Sequence, residues 1–181
     1  MKVTYQGENG FLIEDKKIKV ICNPPESFST ETDFATRSTP GEDQAKFETK
    51  KVLCQPGEFE ISQILVKGIF SDRRTNVVFK IVSDDIAVAH LGHIEDIPPT
   101  EWFENLGENV ALVMIHLSEK LNGSQAKELI DKIDPRFALI SGDKSQFPKL
   151  SESGAKTAEE ESVTISKSSL AEDRRDIILF G

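Results

Sequence analysis

Apolar positions in the first half of the chain recur at every second residue or in short runs, which is the pattern of strands. "KVTYQ", "GFLIE" and "KIKVIC" are rich in β-formers and are separated by the turn-like "GEN" and "DKK". The β pattern resumes in "KVLCQ", "EFEISQILVKGIF", "NVVFKIV" and "IAVAHL". Between the two groups lie residues 23–50, which are polar, hold three prolines and contain one strand-like piece around Phe34 to Thr36. An irregular stretch of that length inside a domain reads as a functional or a mobile loop.

After Asp96 the period changes. "IPPTEWFENLG" has prolines near a helix start and a closing glycine, and Trp102, Phe103 and Leu106 would share one face. "NVALVMIHL" is a continuous apolar run, as expected of a strand buried on both faces. "SQAKELIDKID" predicts an amphipathic helix capped by Ser124, with Ala126, Leu129, Ile130 and Ile133 as its stripe and Asp134-Pro135 as its end. "RFALISG", "SVTIS" and "DIILF" are further strands, and residues 144–160 read as a polar loop. Strands followed by β-α-β-α-β alternation predict an α/β (α+β) arrangement, with two sheets face to face and helices outside. No internal repeat is visible, and 181 residues suit one domain spanning 1–181.

Charge narrows the partners. The formal net charge is −9, which repels phosphate backbones and anionic lipid heads, so neither nucleic acid nor membrane is expected. The basic pairs Arg73-Arg74 and Arg174-Arg175 read as solvated loop charges. "MKVTYQGENG" has no apolar core of a signal peptide and no run of about 18 apolar residues exists, so a cytoplasmic location is expected. Cys22 and Cys54, far apart, read as reduced, buried side chains rather than a disulfide. Cys54 has no neighbouring base, and Ser38 lies in no serine-nucleophile signature, so neither reads as a nucleophile. Asn122-Gly123-Ser124 matches a glycosylation sequon, without meaning in an unsecreted chain.

The segment "IAVAHLGHIED", residues 86–96, resembles a strand that delivers metal ligands. Other segments share in the likeness. "GENGFLIED", "VICNPP", "QPGEFEI" with "VKGI", "NVVFKI", "ENVALVMIHL" and "AKELIDKIDPRFALISGD" resemble, in order, the successive motifs of the metallo-β-lactamase superfamily. The likeness is to the small hydrolase branch related to ascorbate-6-phosphate lactonase. It implies a four-layer αββα sandwich of two mixed β-sheets. It also implies an enzyme with two metal ions, generally zinc, held by a His-x-His-x-Asp-His loop. Such a pair would generate hydroxide and clamp the developing oxyanion.

The same comparison shows what the chain lacks. It has only three histidines, His90, His93 and His116. The motif would follow "DFAT", where Ser38, Pro40 and Asp43 stand at the histidine positions and Glu42 at the aspartate. "FSDRRT" after "VKGI" carries no histidine. His93 stands at the bridging aspartate, Asp143 at the last histidine and Glu8 at the opening one. A neutral imidazole offers one lone pair and cannot bridge two ions as a carboxylate can. His90 would point away from His93 or contact it from behind, and His116 reads as a hydrogen-bonded strand-end residue.

Three functions follow. The first is a non-catalytic binding or structural module with a degenerate metal site and no cofactor, acting as a homo-oligomer or with a protein partner. Trp102-Phe103 would then supply either an apolar anchor or a seal between helix and sheet. The second is a metal-dependent hydrolase with a rebuilt single-ion site of Glu42, Asp43, His93 and Asp143, a set suited to Mg, Mn or Ca rather than Zn. The third is a metal-free pocket for a small anionic ligand, met by Arg37, Ser38, Lys46, Arg73 or Arg74.

Overall fold

The strands form in chain order from the segments with period-two or continuous apolar pattern. The computed structural model describes residues 1–41, 51–71, 74–170 and 175–181. Glu42, Asp43, Lys46, Arg73 and Arg174 therefore lie outside the described residues. The early strands are β1 (Lys2–Tyr5), β2 (Phe11–Glu14), β3 (Lys19–Cys22), β4 (Phe34–Thr36), β5 (Val52–Leu53), β6 (Gly57–Ile61), β7 (Ile64–Phe70), β8 (Val77–Ser83) and β9 (Ile86–His90). The alternating part gives α1 (Thr100–Leu106), β10 (Val110–Leu117), α2 (Gly123–Ile133) and β11 (Phe137–Gly142). The rest gives α3 (Phe147–Ser151), β12 (Lys156–Thr157), β13 (Ser162–Thr164), α4 (Lys167–Leu170) and β14 (Asp176–Leu179).

These strands build two mixed sheets, ordered β13-β1-β2-β3-β4-β5 and β12-β14-β11-β10-β9-β8-β7-β6. Val3, Phe11, Val20 and Phe34 of the first sheet pack against Ile64, Phe79, Val88 and Met114 of the second, forming a core between the sheets. On the outer face of the larger sheet a second core lies under the helices, with Trp102, Leu106, Ala126, Leu129, Ile130 and Leu150 against Val113, Ala138 and Ile140. The expected sandwich of two mixed sheets is therefore observed. β10 is buried almost throughout because it has core on both faces, which is why its sequence does not alternate.

Three local expectations change. The cap of α2 is Asn122 rather than Ser124. Asn122 Oδ1 accepts from the Ser124 and Gln125 amides at 2.9 and 3.1 Å, and Gln125 Oε1 accepts from the Asn122 amide at 3.0 Å. This reciprocal box satisfies donors that a helix start leaves open. Residues 144–160 are not one polar loop: Leu150, fully buried, pins α3, and β12 adds to the sheet edge. Trp102, 7% exposed, donates from Nε1 to the Phe70 carbonyl at 2.8 Å, so it seals α1 to the sheet instead of presenting an anchor. Phe103 is half-buried beside it, under the Lys132 ammonium. Both cysteines are free and buried, and burial pushes the Cys22 thiol up to about 12, which makes it inert. Among the described residues no helix is long and apolar enough to cross a membrane.

Candidate functional site at the strand ends

One end of the sandwich collects nearly every polar side chain that the fold buries. β9, β10 and β11 run parallel, so their C-terminal ends lie side by side: Met114 pairs with His90, and His116 with Ser141. From the facing sheet, Asn9 precedes β2, Asn23 follows β3 and Ser38 follows β4. Such carboxyl ends are the usual place for a ligand crevice in mixed α/β sheets.

Hydrogen bonds tie this end together, both within each sheet and between the two. The Val77 amide donates to the Ser38 carbonyl at 2.7 Å, and Asn23 Oδ1 accepts from the Ser38 amide at 2.8 Å. Asn76, 1% exposed, accepts from the His93 amide at 2.7 Å and donates to the Leu91 carbonyl at 2.9 Å. It thereby fixes the His90–His93 turn. His90 is fully buried, and its Nε2 lies 3.1 Å from the Asn9 carbonyl and 3.0 Å from Asn9 Oδ1. A carbonyl oxygen only accepts, so Nε2 carries the hydrogen and Nδ1, which has no hydrogen-bond partner, is bare. Burial first, and then the nearby His93 and His116, push the His90 pKa down to about 3 against a weaker upward pull from Asn9. His90 is thus a neutral inter-sheet strut.

Gly92 shows how tightly the end is closed. It has φ +63°, and a Cβ there would stand 2.0 Å from Ser38 Oγ and 2.5 Å from Asn76 Oδ1. Only glycine lets this turn press against Ser38, which is 1% exposed and makes no hydrogen bond through Oγ.

Next to this plug, His93 is exposed and His116 half-buried, with ring centroids 6.0 Å apart and planes at 80°. Ser141 Oγ, itself buried, holds His116 Nδ1 at 3.1 Å. Burial lowers the His116 pKa, the His93 charge lowers it further, and the backbone and carboxylate of Glu8 pull the other way. A cavity of about 300 Å³ opens beside the pair, bordered by Glu95, Ser118, Glu119 and Lys120, with Lys120 paired to Glu95.

The described residues alone do not supply the ligands for a pair of bound ions. Among the described residues no three His, Cys, Asp or Glu side chains come together to hold a metal. Ser38, at the first histidine position, is the plug against Gly92. Asp143, at the last, spends its carboxylate on the Ser145 amide at 2.9 Å as the cap of a short 3₁₀ turn, and the Ser145 side chain first, then that amide, lower its pKa. Glu42 and Asp43 are outside the described residues. Of the expected set Glu42, Asp43, His93 and Asp143, only His93 and Asp143 are among the described residues. Of the basic candidates, Arg74 sits in a turn at φ +56° and Arg37 is half-buried beside the plug, while neither borders the 300 Å³ cavity.

Sequence reasoning missed Asn9, Asn23 and Asn76, because a buried asparagine looks like a turn residue until its partners are known. It read His116 as a hydrogen-bonded strand-end residue, in agreement with the Ser141 bond, but did not place it beside His93. The signal was available: neighbouring apolar runs joined by helical crossovers are parallel, so a histidine ending one run lies beside the residues following the other.

Comparison with known proteins agrees with the architecture. Of solved structures, a Thermotoga maritima protein named as a Zn-dependent hydrolase of the metallo-β-lactamase superfamily matches with a TM-score of 0.84 at 17% identity, covering 99% of this chain and 98% of its own. Igni18, a metallo hydrolase from Ignicoccus hospitalis, matches at 0.65 and 16%, covering 91% and 99%. An isothiocyanate hydrolase from Delia radicum gut bacteria matches at 0.63 and 9%, covering 92% and 100%. No curated protein sequence matches. The family model described as "Beta-lactamase superfamily domain" matches residues 2–140, and with that span of the fold accounted for the chain belongs to the β-lactamase superfamily.

Proposed function

We propose that this chain is a non-hydrolytic member of its superfamily that works as a binding or structural module. The observation that carries the reading is the plug: Ser38 fills the space above Gly92, at a position where the likeness calls for a metal-binding histidine. Hydrolysis by two ions needs them bridged and open to water. The Val77 amide instead meets the Ser38 carbonyl across the sheet ends, while Asn23 holds Ser38 within its own sheet and Asn76 holds the His90–His93 turn within the other. With a net charge of −9, the partner is a protein, a second copy or a small ligand rather than nucleic acid or an anionic membrane.

The test is metal analysis of protein purified without chelator, with hydrolysis assayed on lactones, β-lactams and phosphate esters. The reading expects no chelator-sensitive turnover of any of them. Two ions per chain, with hydrolysis abolished by chelator and restored by zinc, would overturn it.

A further inference from the structure

We propose that the pocket at the C-terminal end of α1 binds a small amphipathic carboxylate, its head on Lys67 and Lys80 and its tail over Leu65 and Val82. The pocket lies on the outer face of the larger sheet and shares no residue with the plug. The inference names a ligand class for the binding-module reading, and rests on that reading only for this role.

The register of the sheet builds the pocket. β7 and β8 are antiparallel, with Ile69 opposite Val78, Lys67 opposite Lys80 and Leu65 opposite Val82. Side chains two residues apart share a face, so these three pairs form successive rungs on one side. Trp102 and Leu106 of α1 cover the Ile69–Val78 rung. The helix then stops at Gly107, φ +77°, and leaves the next two rungs bare. What remains is a cavity of about 390 Å³, walled by Leu106, Lys67, Lys80, Leu65 and Val82. That volume is in the range of small-molecule sites. Leu65, 56% exposed, is the exposed large hydrophobic side chain among the described residues.

Charge selects the head group. Like charges directly opposite one another across two strands are unfavourable. Lys67 Nζ donates to the Asn105 carbonyl at 2.7 Å, and Lys80 Nζ to the Leu106 and Glu108 carbonyls at 3.1 and 2.9 Å. Both ammonium groups are thereby gathered at the same end of α1. Each ammonium has three N–H donors, so both keep hydrogens beyond these bonds. Burial first, and then Lys67, lowers the Lys80 pKa, a repulsion that an anion between the two would relieve. Glu58 approaches Lys67 only to 3.9 Å, and Glu104 stands at the rim. Two cations with two acids at the rim suit a single negative charge, since a phosphate dianion would be repelled by both carboxylates.

The order of the rungs selects the tail. The Leu65–Val82 rung lies about 7 Å beyond the lysines, on the side away from α1. A carboxylate seated on the lysines therefore lays its carbon chain over Leu65 and Val82, which removes their apolar surface from water.

The full chain would be titrated with sodium octanoate by calorimetry and by amide chemical shifts, with octylammonium chloride and inorganic phosphate as the contrasting probes. The expected result is one octanoate per chain, shifts centred on Lys67, Lys80 and Gly107, and weaker binding of both other probes. Lys67→Met and Lys80→Met should each lose about tenfold or more in affinity. Leu65→Ser breaks no hydrogen bond and should still lose about threefold or more. Thermal melts of each variant confirm that it folds. Absence of saturable octanoate binding, equal binding of octylammonium or phosphate, or unchanged affinity in Leu65→Ser or in either folded lysine variant would overturn the pocket and leave the lysines as caps of α1. That failure would not touch the non-hydrolytic reading, which chelator-sensitive turnover would overturn whatever the octanoate affinity.

Discussion

Acid should unfold this protein in a pH range where its carboxylates are still ionised, through His90. An unfolded imidazole takes up its proton below about pH 6.5. The buried His90 takes one only near pH 3. Between those values the unfolded chain binds more protons, so stability falls as the pH is lowered. With these two pKa values, the loss from pH 7 to pH 5 is about 2 kcal/mol, and by pH 3 it is about 4 kcal/mol. His116, also lowered by burial, adds in the same direction. Asp15, lowered mainly by its bond to Ser83, contributes stability that is lost only below the normal carboxylate range. Urea titrations at pH 7, 6 and 5 would give the slope, and a matched series on His90→Phe isolates the residue. Phenylalanine removes the titration and meets Phe11, whose ring lies 6.2 Å from His90. The variant should be less stable at pH 7, having lost the Asn9 bond, but its stability should change by about 2 kcal/mol less between pH 7 and 5. An equal slope in parent and variant would refute the assignment of His90 as a neutral strut.

Other substitutions test the rest of the plug and the helix start. Gly92→Ala should cost about 2–5 kcal/mol, from left-handed strain plus collision with Ser38 and Asn76, with partial recovery in Ser38→Gly/Gly92→Ala; denaturant midpoints decide, and a neutral Gly92→Ala would disprove the close contact. Asn76→Ala should cost about 2–4 kcal/mol, because the Leu91 carbonyl and the His93 amide lose their partner together; slower amide exchange at His93 in the variant would contradict this. Asn122→Ala should lower stability by about 1 kcal/mol while Ser124→Ala is near neutral, and the reverse order by thermal melt would restore Ser124 as the cap.

Period alone located the strands and the two main helices, because a strand packed on one core alternates and one packed on two does not. β2, β8 and β10 were legible for that reason, and the order of weak motifs identified the sandwich. α3 was not legible, since it is one short turn held by Leu150 and the partly buried Phe147 in a Lys- and Ser-rich stretch. The fate of the metal loop was legible as a loss of ligands. Its replacement by the Ser38–Gly92 contact was not, because a serine and a glycine more than 50 residues apart carry no pattern until the strands place them. Nor could spacing show that Asp143 turns its carboxylate to its own backbone, a local competition that only φ and ψ decide.

Among the described residues β6 forms one border of the larger sheet, paired on one side with β7. Its outward residues Glu58 and Glu60 flank Phe59, and both are exposed. If two molecules met border to border, antiparallel and centred on Phe59, each glutamate would face a glutamate of the other copy, an unfavourable pairing. The protein thus carries its own guard against sheet extension at this margin, and lengthening into fibres there should begin once Glu58 and Glu60 are made neutral.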